Sequence, residues 1–203
     1  MAQRYPSWQR QEELWHGWRD YLLRWRWEWR CTFTLPDTLP HKSSRAMFLA
    51  WLRDLESKER MNVAGYVFGC FSRRFKGSNH RHIHLHVLLL GRSRNPRLNR
   101  TLKSVSRYRW RDRWQEIVQQ RMRFMFGQQA DGIGGIGGIS KIVQIDDQHA
   151  ATSYHGQQFM PYKNARVEHE SFGDDLLRRE MNRLGGDNWD GLLNGEGPVI
   201  GSE

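Results

Sequence analysis

Residues 79–91 read NHRHIHLHVLLLG, with histidines on four alternate positions, 80, 82, 84 and 86, ahead of an aliphatic run. Successive side chains of a β-strand point to opposite faces, and same-face neighbours stand about 6.5–7 Å apart. In an extended segment, His80, His82, His84 and His86 therefore share one face, and Arg81, Ile83, Leu85 and Val87 take the other. Two neighbouring imidazoles can meet at one metal ion at about 2.0–2.1 Å. The outer two of three in a row are about 13 Å apart at the backbone, near the limit of what two rings and an ion can span. One adjacent pair is the natural binding unit. Two other readings apply: a half-buried strand whose histidines are satisfied by hydrogen bonds, or a basic strand that reads phosphate. Neutral imidazoles gathered on one face are costly to bury unless something binds them, which favours the metal.

The rest of the chain supplies partners for such a strand. Residues 7–24 carry Trp15, Trp18 and Leu22 at helical spacing, with Ser7 placed to cap a helix. Residues 25–35, WRWEWRCTFTL, alternate as a strand does, and Pro36 and Pro40 bracket a loop. A helix over 44–58, capped by Ser43 or Ser44, presents Phe48, Trp51, Leu52 and Leu55 on one face. VAGYVFGCFS, 63–72, is a second strand, and the histidine segment, 81–90, pairs with it antiparallel. A helix over 98–125 follows, then a glycine-rich hinge over 127–140 that lacks the Gly-Lys-Ser/Thr of a phosphate loop. A fourth strand spans 140–146, a helix runs from 147 to about 160, and a short helix covers 174–184. This order predicts an α+β fold, a central antiparallel sheet flanked by helices.

Charge narrows the partners. The chain of 203 residues carries 32 Lys plus Arg against 22 Asp plus Glu, and 26 of those cations are arginine. Arginine grips phosphate with a planar fork and stacks on bases. Ten tryptophans accompany it, a combination suited to single-stranded nucleic acid. SRYRWRDRWQEIVQQRMR, 106–123, interleaves the two, which makes Arg107, Arg109, Arg111 and Arg113 candidate DNA contacts and Trp110 a candidate stacking platform. The alternative is a solvated helix face with its tryptophans buried. Two cysteines, Cys31 and Cys70, imply no disulfide framework, and no apolar run reaches the roughly 20 residues of a membrane span. The expected setting is the cytoplasm.

HLHVLLLG resembles the second motif of the HUH endonucleases, the His-hydrophobic-His superfamily of rolling-circle replication initiators, single-strand transposases and relaxases. The motif selects His84 and His86, with His82 in reserve. TFTLP, 32–36, resembles the first motif, and VQIDDQHAATSY, 143–154, the approach to the third, which carries a tyrosine nucleophile on a helix. Motif order over residues 29–165 is most similar to the replication initiators. The resemblance implies a nuclease domain over 1–185, including the N-terminal helix, and leaves 186–203 as a flexible acidic tail. It implies Mg²⁺ or Mn²⁺ as cofactor, and single-stranded DNA or an origin hairpin as partner. With no helicase region on the chain, a host helicase is a further expected partner.

The implied chemistry is nicking and strand joining through a covalent 5′-phosphotyrosine. Tyr154 is the first candidate nucleophile and Tyr162 the second. The family lysine three residues after the tyrosine is absent, since Gln157 stands there; Lys163 is the nearest. The family glutamate on the strand before the histidines is also absent, which leaves His82, Glu28, Gln157, Cys70 and Ser72 as candidates for a third ligand. A transposase or relaxase of the same chemistry, and a non-catalytic nucleic-acid-binding module, are the competing functions.

Overall fold

The computed structural model describes residues 8–36, 39, 41–72, 83–127, 140–159 and 164–183. His82, Tyr162, Lys163, the cap Ser7 and the acidic tail lie outside them. Five helices and five strands follow the order α1 (Trp8–Leu22), β1 (Trp29–Leu35), α2 (His41–Glu59), β2 (Met61–Ser72), β3 (Ile83–Ser93), α3 (Arg107–Phe126), β4 (Ser140–Gln144), α4 (Gln148–Gly156), β5 (Asn164–Phe172) and α5 (Asp174–Arg183). The strands form one sheet, ordered β4-β1-β3-β2-β5, with every neighbouring pair antiparallel. The expected α+β architecture is present. Its centre, β1-α2-β2-β3-α3-β4, is a split βαβ arrangement, to which β5 adds a strand at the β2 edge.

Alternation along the strands divides the core in two. From β1, Trp29, Cys31, Phe33 and Leu35 face α2 and α3, where they meet Phe48, Trp51 and Leu55 of α2 and Trp110, Trp114 and Val118 of α3. The Trp114 ring stacks on Phe33 at 4.3 Å, and the Trp51 indole donates to the Trp110 carbonyl at 2.8 Å. On the opposite face Trp18, Tyr21 and Leu22 of α1 and Leu176, Leu177 and Met181 of α5 cover Tyr66, Phe68, Leu88 and Leu90. Trp25, Trp27, Trp29, Trp51, Trp110 and Trp114 are all fully buried. The tryptophans that suggested stacking platforms build the hydrophobic layers instead, Trp110 among them.

Several boundaries differ from expectation. Trp25 and Trp27 precede β1 on a connecting segment, their indoles donating to the Leu177 and Leu22 carbonyls. The α2 helix starts at His41, so Ser43 and Ser44 are buried in its first turn and are not its cap. The α3 helix starts at Arg107; before it, Thr101 bridges to Arg92 and a single 3₁₀ turn spans Leu102–Ser104. Strand β5 was not anticipated. It lies at a sheet edge, and its stretch VEHES exposes both faces in part, so it shows no clear apolar alternation.

The topology makes β3 the middle strand of five. Thr34 and Thr32 of β1 stand opposite His84 and His86, and Cys70 and Phe68 of β2 stand opposite them on the other side. The histidine pair therefore sits on the central strand of the sheet, on the face away from α2 and α3.

Candidate active site

The paired histidines point the same way. Ring centres of His84 and His86 are 6.3 Å apart, with planes inclined at 36°. Each Nδ1 meets a hydroxyl of β1: Thr34 Oγ1 at 3.1 Å from His84 and Thr32 Oγ1 at 3.3 Å from His86. Where Nδ1–H donates to the threonine, Nε2 carries the lone pair a cation needs, the usual outer-shell arrangement around a metal-binding imidazole. An ion bound at about 2.0–2.1 Å from a ring nitrogen lies about 3.2 Å from that ring's centre, so two rings sharing it stand no more than about 6.4 Å apart, a limit reached with the ion straight between them. At 6.3 Å the pair lies just inside that limit, so His84 and His86 can share an ion placed nearly in line between their nitrogens.

Tyr154 comes to this pair from α4. Asp147 caps the helix, its carboxylate accepting from the Ala150 amide at 2.9 Å. The helix is held against α1: the Trp15 indole donates to the Ser153 carbonyl at 3.2 Å, and a Cβ on Gly156 would lie 2.6 Å from the Trp15 ring. Only glycine allows that approach. The Tyr154 ring then lies edge-on to His86, centres 5.3 Å apart, with the Arg30 guanidinium 4.9 Å from its centre. Burial raises the phenol above its ordinary pKa and the thiol of Cys70 adds to this, while Arg30 and a hydrogen bond with Thr32 pull it down.

A cavity of about 140 Å³ opens beside the phenol, lined by Arg30, Thr32, Lys141, Val143 and Tyr154. Two cations and a hydroxyl around a phenol suit a phosphodiester. Arg30 and Lys141 were not singled out from the sequence. They meet because β1 pairs with β4, placing Arg30 opposite Val143 and Thr32 opposite Lys141, a register that no local pattern announces.

His155 was also missed. It is fully buried beside His86, Tyr154 and Phe68, ring centres 6.1, 5.6 and 5.5 Å away. Its Nδ1 donates to the Ala151 carbonyl at 2.8 Å, and its Nε2 is a buried acceptor with no hydrogen-bond partner. Burial, helped by the Arg30 charge and opposed by the Ala151 carbonyl, lowers its pKa to about 4 from 6.5. The unfolded chain therefore binds a proton that the folded one refuses between about pH 6.5 and 4. Stability contributed by the neutral ring is present above 6.5 and is lost as the pH falls through that window, by about 2–4 kcal/mol. Thermal unfolding in chelator from pH 7 to 4 is expected to show this loss, and His155→Leu to flatten the slope, leaving the smaller contribution of half-buried His169. An unchanged slope in the variant would reject the assignment.

The candidate third ligands separate. Glu28 lies at the far end of β1, where its carboxylate accepts from Arg92 at 2.6 Å and from the Gly91 and Leu102 amides at 3.3 and 2.8 Å. It is not part of the histidine site. Cys70 faces His84 across the β2–β3 ladder, and burial pushes its thiol up to about 12. Gln157 caps the end of α4. His82 and the Ser72 side chain are not among the described groups. Among the described residues, no cluster of three or more His, Cys, Asp or Glu donors surrounds one point.

The arginine helix lies on the other face of the sheet from the histidines. Arg113 is held by Asp54 at 2.6 Å and Glu116 at 2.7 Å, and Arg109 approaches Glu59 at 3.5 Å. Trp110 is buried, and its indole donates to Glu59 at 3.0 Å, which removes it as a stacking platform. Arg107 opens the helix, and Arg111 pairs with Asp112 and packs over the exposed Tyr108. No helix among the described residues is long and apolar enough to cross a membrane. No family model, curated protein or solved structure matches the chain.

Proposed function

We propose that the chain is a metal-dependent single-stranded DNA endonuclease and strand transferase that nicks at a replication origin and so initiates rolling-circle replication. The observation that carries this reading is the placing of the Tyr154 phenol against His86, between Arg30 and Thr32, in a cationic cavity on the face of the His84–His86 pair. In the proposed reaction the Tyr154 oxygen attacks a backbone phosphorus. The phenol loses its proton, the bond from phosphorus to the 3′ oxygen breaks, and that oxygen leaves as a 3′ hydroxyl after gaining a proton. The 5′ phosphate stays esterified to the tyrosine, and attack by a 3′ hydroxyl reverses the step and joins strands.

His84 and His86 would hold Mg²⁺ or Mn²⁺, which when bound polarises the scissile phosphate and stabilises its developing charge. Thr32 and Thr34 orient the two rings through their Nδ1 atoms. Arg30 and Lys141 bind the phosphodiester and favour the phenolate by proximity of charge.

The test is incubation of the protein with labelled single-stranded DNA and Mn²⁺, followed by denaturing electrophoresis. A covalent adduct is expected, lost with chelator and restored by Mn²⁺. The double substitution His84→Ala, His86→Ala is expected to lower adduct formation and Mn²⁺ affinity by at least about 100-fold. Adduct formation at the parental rate by that variant would reject the metal site.

A further inference from the structure

Resting on that reading of the Tyr154 cavity, we infer that the bound DNA strand leaves the cavity across the outer edge of β4 and stacks a base on Tyr108, with Arg111 against its backbone. The argument begins with the flanks of α3. Residues advance about 100° each around a helix. Trp110, Trp114 and Val118 point into the core, and Arg109 and Arg113 fall on the flank beside α2, where Glu59 and Asp54 meet them. Tyr108 and Arg111 fall on the opposite flank. The Arg111 carbonyl accepts from the Ser140 hydroxyl at 3.1 Å, which fastens that flank to the start of β4.

Alternation on β4 then joins the two sites. Ser140 is buried against α3, and the next residue, Lys141, points to the other face and lines the Tyr154 cavity. One residue therefore separates the cation at the cavity from the hydrogen bond to the Arg111 turn. Among the described residues strand β4 is the last of the sheet on that side, so a polymer lying in the cavity can pass over it. Beyond the edge Tyr108 is 67 % exposed, with the Arg111 guanidinium 5.5 Å from its ring centre. Among the described residues Asp112 is the carboxylate paired with Arg111 there. Arg30, Lys141 and Arg111, followed by an exposed ring, make a line of positive charge ending in a stacking surface. That is the chemistry of a single strand with its bases turned out; a duplex offers no exposed base face.

The experiment uses the full chain, a fluorescein-labelled single-stranded oligodeoxynucleotide of mixed sequence and the corresponding duplex, read by anisotropy beside the adduct assay. Tyr108→Ala is expected to weaken single-strand binding by about 5- to 100-fold, with Tyr108→Phe restoring it and duplex binding nearly unchanged. Phe124→Ala removes the other exposed aromatic of α3, 81 % exposed and packed with Arg121 on the α2 flank, and is expected to have no effect. Parental single-strand affinity in Tyr108→Ala, or equal weakening of single strand and duplex, would overturn the inference. If the parent forms adduct while Tyr108→Ala binds normally, only the exit track fails. If the parent forms no adduct with Mn²⁺, the nicking reaction itself fails.

Discussion

Tyr154→Phe is expected to abolish the covalent adduct, a loss of at least about 1,000-fold, while leaving the fold and single-strand affinity close to the parent. The variant removes one oxygen. Its ring keeps the edge contact with His86 and the position beneath Arg30, and α4 keeps its cap and its seat on Trp15. What is lost is the proposed nucleophile and its hydrogen bond with Thr32, worth about 1 kcal/mol of stability. The phenol of the free protein is held above its ordinary pKa by burial, so it is protonated at neutral pH. The adduct rate of the parent is therefore expected to rise with pH until the phenol ionises. Tyr162→Phe serves as the comparison. Normal adduct in Tyr154→Phe, with loss in Tyr162→Phe, would move the nucleophile to Tyr162.

Some of this site was written locally and some was not. His84 and His86 share a face because a strand has a period of two, and Tyr154 follows a strand on a short capped helix, so both could be read from the order of residues. Arg30 and Lys141, 111 positions apart, meet because β1 and β4 form a ladder, and that pairing is set by the whole sheet. His155 has no signature beyond being next to Tyr154; only burial makes it unusual. The arginine–tryptophan interleaving of α3 misled in one respect. Counted at 3.6 residues per turn, Trp110 and Trp114 share the face of Ile117 and Val118 and belong to the core, whereas Tyr108 does not. Strand β5 had no legible signal because an edge strand need not bury either face fully.

Glu28→Ala is expected to destabilise the protein by about 3–4 kcal/mol without weakening Mn²⁺ binding. Glu28 is 5 % exposed, and burial raises its carboxyl despite the opposing charge of Arg92. Its two oxygens satisfy the Arg92 guanidinium and two buried amides, Gly91 and Leu102. Arg92 reaches on to Glu180 of α5 through contacts of 3.0 and 2.5 Å. One carboxylate thus links β1, the end of β3, the turn before α3 and, through Arg92, α5. Alanine strands both amides and leaves Arg92 its contacts with Glu180 and the Gly91 carbonyl, which keeps the loss below that of a wholly unpaired buried charge. Glu28→Gln retains an acceptor and is expected to lose less, about 1–2 kcal/mol. For a chain of this size 3–4 kcal/mol lowers the melting temperature by roughly 6–16 °C. Thermal unfolding and Mn²⁺ titration of the same samples separate two roles for this carboxylate. Glu28 stands four residues of extended chain, about 13 Å, from Thr32 beside His86, too far for a shared ion. A variant that melts with the parent but loses Mn²⁺ would show that Glu28 is a ligand and that the network it forms with Arg92 does not hold the fold.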